Sequence, residues 1–199
     1  YNKVFPGTFR LAVSNLIEHL ASPVTLANDL LQFEFERAVK TVGRFVVNTV
    51  AGMGGIADVA AASGDERHKE DFGQTLAVWG MGEGVYLVLP LLGPSSPRDA
   101  VGKYVVDPFF DPLGLWLANT ERDAEAYSRM GVNGLDEYAS IVDELEQIKK
   151  TSVDFYAAIR SLYRQKRQTL ISNGREEDLP AIPNYDLNFN ESDGVAGVK

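Results

Sequence analysis

The chain has 199 residues, 45% of them hydrophobic and 10% aromatic, enough to bury a sizeable core within one domain. A formal net charge of −9 excludes general nucleic-acid binding, which draws its affinity from a broad basic surface. The lack of cysteine excludes disulfides, thiol chemistry and Cys-ligated zinc, and two histidines leave little material for a metal site, so neither metal nor cofactor is expected.

The chain opens on Tyr1 and not on Met, so a removed or omitted upstream segment is expected. Phe9, Val13, Leu16, Ile17 and Leu20 recur at helical spacing and predict a first amphipathic helix that ends at Ser22-Pro23. A short second helix should carry Leu26, Leu30 and Phe33 on one side, with Pro23 near its start. A third is predicted over 34–51, its apolar stripe formed by Phe35, Val39, Val42, Phe45, Val46 and Val50.

Gly52-Met53-Gly54-Gly55 breaks that helix, one or two turns follow over 56–62, and Ser63-Gly64-Asp65 opens a charged loop. Phe72, Leu76 and Trp79 mark another helix over 69–79. Prolines at 94, 97, 108 and 112 then cut the chain into short pieces, with Ser95 expected in a turn or as a helix cap and Arg98 and Asp99 in the next helical turn. From Leu135 to Ile171 the helical pattern is nearly continuous and would reach about 55 Å if straight, so a break near 150–153 is expected. Asn173-Gly174 supplies its stop. The fold class is all-α, with one helical domain over 1–175 and a polar, acidic, flexible tail over 176–199.

No stretch approaches the roughly 18 to 20 apolar residues that span a bilayer as a helix. The longest apolar run, Val85 to Leu92, contains Pro90 and would reach only about 12 Å as a helix, enough for one leaflet.

Gly52-Met53-Gly54-Gly55-Ile56-Ala57 satisfies a dinucleotide-binding pattern, but the preceding residues have helical period where that pattern needs a strand, so a close helix packing point is the better reading. Gly93-Pro94-Ser95-Ser96-Pro97 lacks the second glycine of a nucleophile elbow. His19 and His68 read as surface or helix-end residues, and the paired carboxylates at 123/125, 144/146 and 176–178 read as solvated faces. Nothing here asks for catalysis. Arg160, Arg164 and Arg167 recur at i, i+4 and i+7 beside Tyr156, Ile159, Leu162 and Tyr163, a basic strip able to lie near anionic headgroups or to serve as an ordinary solvated face.

Four stretches in order, SPVTLANDLLQ (22–32), GRFVVNTVAGMGGIADVA (43–60), DFGQTLAVWGMGEGVYLVLPLLGPSSPRDAVG (71–102) and DFYAAIRSLYRQKRQTLISNG (154–174), resemble the MlaA (VacJ) lipoprotein family. The resemblance covers most of residues 1–175. It implies a ring-shaped, all-helical, non-enzymatic lipoprotein in the inner leaflet of a Gram-negative outer membrane. Its amphipathic central channel would remove mislocalised phospholipid from the outer leaflet in association with a trimeric porin, and a periplasmic carrier (MlaC) would receive the lipid. An adaptor that docks the carrier to the porin without conducting lipid is the alternative.

The motif positions carried over as the channel region are Asn48, Thr49, Gly52, Gly55 and Asp58, then Phe72, Thr75, Trp79, Gly80, Gly84, Tyr86, Pro90, Gly93, Pro94, Ser95, Arg98 and Asp99. Asp71, Gly73, Leu76 and Leu87 to Leu89 accompany them. Where the family usually has proline before Tyr86, this chain has Val85, which leaves the backbone less fixed there. The family's lipidated cysteine and first helical stretch are expected upstream of Tyr1.

Overall fold

The computed structural model describes residues 6–89, 93–152 and 154–173. Among them the chain is all-α: eight α-helices and one two-stranded hairpin. Helix α1 (Gly7–Leu31) and helix α2 (Phe35–Val50) are joined by a tight turn in which Phe33 has φ 62° and the Glu34 amide donates to the Asp29 carbonyl at 2.9 Å. Contacts between Asp29 and Thr41, His19 and Thr49, and Asn15 and Ile56 show α2 running back antiparallel along α1.

The expected break at Ser22-Pro23 is absent, because α1 runs through Pro23 as a single helix. Proline removes only its own amide from the ladder, and both halves of α1 are pinned by packing against α2, which outweighs a local cost of about 3 kcal/mol. The Ser22 hydroxyl donates to the Glu18 carbonyl beside the interruption at 3.3 Å.

After the glycine turn, Asp58 caps α3 (Val59–Ala62) and Asp71 caps α4 (Phe72–Val78), each carboxylate accepting an amide of the first turn. The described part of the apolar run after Tyr86, residues 87–89, is not helical. Leu87–Leu89 form β1, paired antiparallel with β2 (Gly93–Ser95), which places the β-branched and leucine side chains of a short run in extended backbone. Ser95 therefore lies in a strand, and the cap of α5 (Pro97–Val101) falls one residue later, at Ser96, whose Oγ accepts the Asp99 amide at 3.2 Å.

A π-helical turn (Gly102–Val106) and a 3-10 turn (Asp107–Phe110) lead into α6 (Pro112–Asn119), with Pro97, Pro108 and Pro112 each near the start of its piece, where a missing amide costs nothing. The long C-terminal pattern resolves into α7 (Asp123–Thr151) and α8 (Phe155–Ile171), broken at the expected place. The expected tail over 176–199 lies outside the described residues.

The interior reverses the usual partition. Among the described residues the buried apolar side chains are Ala38, Ala60 and Leu117, whereas fifteen polar or charged ones are buried, Asn28, Asp29, Gln74, Thr75 and Ser96 almost completely. The stripe Phe35, Val39, Val42, Phe45, Val46 and Val50 faces outward, with Val50 82% exposed. Arg37, Thr41, Arg44 and Asn48 recur at the same period on the opposite side of α2 and face inward.

Candidate functional site

The inward side chains form three connected polar clusters. In the first, Asn28 links two distant segments: its Nδ2 donates to Asp107 Oδ1 at 2.9 Å and its Oδ1 accepts the Thr75 hydroxyl at 2.7 Å. Gln32 Nε2 extends the chain to Thr75 Oγ1 and Glu70 Oε2, and Arg37 closes it on Glu70 Oε1 at 2.6 Å. Burial raises the Glu70 carboxyl above its usual range, in spite of Gln32 and Arg37. Asp29, wholly buried, accepts the Thr41 hydroxyl at 2.6 Å and lies 3.1 Å from His68 Nε2. His68 is thus held inside and is not the surface histidine expected. Thr41 and His68 together brace this buried carboxylate.

The second cluster surrounds Asp58, which caps α3, accepts Arg44 Nη2 on both carboxylate oxygens at 2.9 and 2.8 Å, and accepts Asn48 Nδ2 at 3.0 Å and Arg67 Nη2 at 3.1 Å. These hydrogen bonds and the Arg44 charge outweigh burial and hold the Asp58 carboxyl below its usual range. Asn48 Oδ1 in turn accepts the Ala60 amide at 3.0 Å. The cluster lines a small polar cavity of about 50 Å³ between α1, α2 and the loop after α3.

The third joins α4, α5 and α8. Arg167 donates to both Asp71 oxygens at 2.6 and 2.5 Å and to Asp99 Oδ1 at 3.0 Å, where Arg98 Nε also donates at 2.9 Å. Tyr163 donates its hydroxyl to Asp99 Oδ2. Burial would lower the Arg167 guanidinium, but Asp71 and Asp99 raise it further, so it stays charged.

The motif positions spread over this interior and its margins. Gly52 and Gly55 are packing points: a Cβ on Gly55 would lie 2.3 Å from His19 Cγ, and one on Gly52 2.2 Å from the Ala57 carbonyl. Thr49 contacts His19, which stacks flat on Phe45 at 4.6 Å. Trp79 sits edge-on to Phe72 at 5.7 Å and donates Nε1 to the Leu31 carbonyl, and Gly80, Gly84 and Gly93 adopt positive φ. Tyr86 meets the edges of Tyr156 and Tyr163 at 5.6 and 5.8 Å. Pro94 and Ser95 lie in β2, and Pro90 lies outside the described residues.

The three arginines of α8 do not share one environment. Arg167 is buried, Arg164 pairs with Glu83 at 2.5 Å, and Arg160 is exposed. Asn28, Asp29, Gln32, Glu70 and Asp107 went unnoticed in the sequence. Asn28 and Asp29 lie in α1 and Gln32 at its end, whereas Glu70 lies in the loop before α4 and Asp107 opens the 3-10 turn, so no single helical period marks them in the chain.

Residues 1–170 match the family described as MlaA lipoprotein. The chain belongs to the MlaA lipoprotein family. It is 30% identical over 182 residues to a protein of Escherichia coli named intermembrane phospholipid transport system lipoprotein MlaA, covering 90% of this chain and 69% of that protein. It is also 30% identical over 188 residues to an uncharacterized protein of Rickettsia bellii, covering 94% of this chain and 72% of that one. A solved structure described under "Structural basis for maintenance of bacterial outer membrane lipid asymmetry" superposes with a TM-score of 0.71 at 27% identity, over 85% of this chain and 83% of that one.

Proposed function

We propose that this chain is the outer-membrane component of a retrograde phospholipid transport system. It sits, lipid-anchored, at the inner leaflet of a Gram-negative outer membrane beside a porin trimer. Mislocalised phospholipid leaves the outer leaflet through an amphipathic channel in the domain and passes to a periplasmic carrier. The motif residues from Asn48 to Asp99 build the channel region.

The observation that carries this reading is the reversed partition: polar and charged side chains inside, with Phe35, Val39, Val46 and Val50 outside. Each exposed apolar side chain costs about 1.5 to 3 kcal/mol in water relative to an apolar surrounding, so such a surface suits acyl chains. No described helix is long and apolar enough to cross a membrane, which fits entry into a single leaflet. Headgroups then travel along polar groups while the outer face stays in lipid. The chain has no energy-coupling motif, so lipid moves down a gradient set by its partners, and the role is non-catalytic.

Deleting the gene should expose phospholipid in the outer leaflet and sensitise cells to detergent, and complementation should restore both. Normal asymmetry in a clean deletion overturns the reading. A protein that binds porin and carrier yet supports no lipid transfer between reconstituted membranes would identify the adaptor instead.

A further inference from the structure

One face of α8 borders an open cleft of about 760 Å³, lined by Tyr156, Arg160, Ser161, Arg164 and Gln165 and closed on one side by Glu83. It is separate from the buried cluster on the adjoining face of the same helix, where Tyr163 and Arg167 hold Asp99. Its two carboxylates are already engaged. Glu83 pairs with Arg164, and Asp154, at the rim, accepts the Ala157 amide at 3.0 Å.

Its cations are not fully engaged. Arg160 is exposed and makes no hydrogen bond or ion pair among the described residues, although its charge is felt at the nearby Tyr86 hydroxyl. Arg164 uses one terminal nitrogen on Glu83, while its Nε is buried and has no hydrogen-bond partner. Residues four apart on a helix stand about 5 to 6 Å apart at Cβ, so the two guanidinium groups can converge on one tetrahedral anion. Tyr156, beside Arg160 and edge-on to Tyr86, gives the cleft an aromatic wall. In a chain of net charge −9, the two guanidinium groups of this cleft balance its two carboxylates, so an approaching anion meets less repulsion here than over the rest of the surface.

We propose that this cleft binds the phosphate of a phospholipid headgroup, with Arg160 as the principal cation, Arg164 as the second donor and the Tyr156 ring against the glycerol portion. The assignment rests on the phospholipid reading above and adds a headgroup site to it.

The test uses the purified chain in neutral maltoside micelles, titrated with dihexanoyl phosphatidylglycerol, with dihexanoylglycerol, which has the same chains and no phosphate, and with inorganic phosphate. The wild-type chain should bind the phosphatidylglycerol about tenfold tighter than the dihexanoylglycerol, the loss matching one charged hydrogen bond. Arg160→Gln should erase that preference with an unchanged melting temperature, Arg160→Lys should keep most of it, and Lys166→Gln, on the other side of α8, should keep all of it. No preference in the wild type, or full preference in Arg160→Gln, overturns the site. Inorganic phosphate binding as tightly as the lipid makes this a free-phosphate site and overturns the headgroup assignment. Outer-leaflet phospholipid in the deletion strain scores the transport reading separately: exposed phospholipid with no phosphate preference in vitro defeats the cleft alone, and normal asymmetry defeats transport whatever the cleft binds.

Discussion

Arg167 on α8 and Asp71 at the start of α4, 96 residues apart in the chain, are joined by two parallel hydrogen bonds of 2.6 and 2.5 Å. Asp71 also caps α4 through Gln74, so one carboxylate both starts a helix and fixes another against it. Replacing Arg167 with Met leaves Asp71 and Asp99 without their shared cation and should cost about 3 to 5 kcal/mol in denaturant unfolding. Arg167→Lys, which keeps the charge but loses the fork, should cost less. Equal stability of wild type and Arg167→Met would remove this cluster from the account of the fold.

Asp107 predicts a pH dependence. Burial pushes its carboxyl up to about 6 against the hydrogen bond from Asn28, and the Asp71 charge adds to the rise. Unfolded, the group ionises near 3.8, so between that pH and about 6 the folded chain keeps a proton that the unfolded chain has lost. Its contribution to stability therefore falls as pH rises through this window and stays low above it. Asp107→Asn keeps an oxygen for the Asn28 and Phe72 donors and does not ionise, so it should flatten this fall and gain about 2 kcal/mol at pH 7. Unfolding curves at pH 4, 5, 6 and 7 check it; an unchanged slope in the variant contradicts it.

Two glycines should respond in opposite directions to alanine. A Cβ on Gly102 would lie 2.2 Å from the Gly73 amide nitrogen, a backbone atom with no room to retreat where α4 meets the π-helical turn, so Gly102→Ala should destabilise by about 2 to 3 kcal/mol. Gly43, inside α2 with open space around its Cα, should gain about 0.5 to 1 kcal/mol from the better helix propensity of alanine. Melting temperatures of the two variants should bracket that of the wild type.

Val39 and Val46 test the outer surface. Both are more than half exposed on the outward face of α2. Substituting each with Glu should change stability in detergent by no more than about 0.5 kcal/mol while reducing co-flotation with phospholipid vesicles several-fold. Undiminished flotation of the double variant would show that this face does not meet lipid.

Much of the element order was legible because the breakers act locally. Gly52 to Gly55, the prolines at 97, 108 and 112, and the weak point near residue 152 all stop or start helices where their own backbone chemistry requires it. Pro23 departs from this pattern for the complementary reason: one missing amide is a local cost, and packing on both sides of it is not visible locally. Ser95 and Ser96 differ by one position, and strand pairing with Leu87 decided which became the cap. The Arg160, Arg164 and Arg167 strip was correctly periodic, yet Glu83, Asp71 and Asp99 come from far along the chain and give its members three different environments.

The sequence by itself determined the family, the helical class and the period of each amphipathic face, because spacing and motif order are properties of the chain alone. It could not decide which face of α2 turns inward, since the stripe of Phe35, Val39, Val42 and Val46 and the stripe of Arg37, Thr41, Arg44 and Asn48 have the same 3.6-residue repeat. Only the tertiary structure settled that, by bringing Asp29, Asp58 and Glu70 to the polar stripe from other segments. A buried arginine or asparagine is tolerated only where such partners exist, and where they converge the apolar stripe is left to face outward.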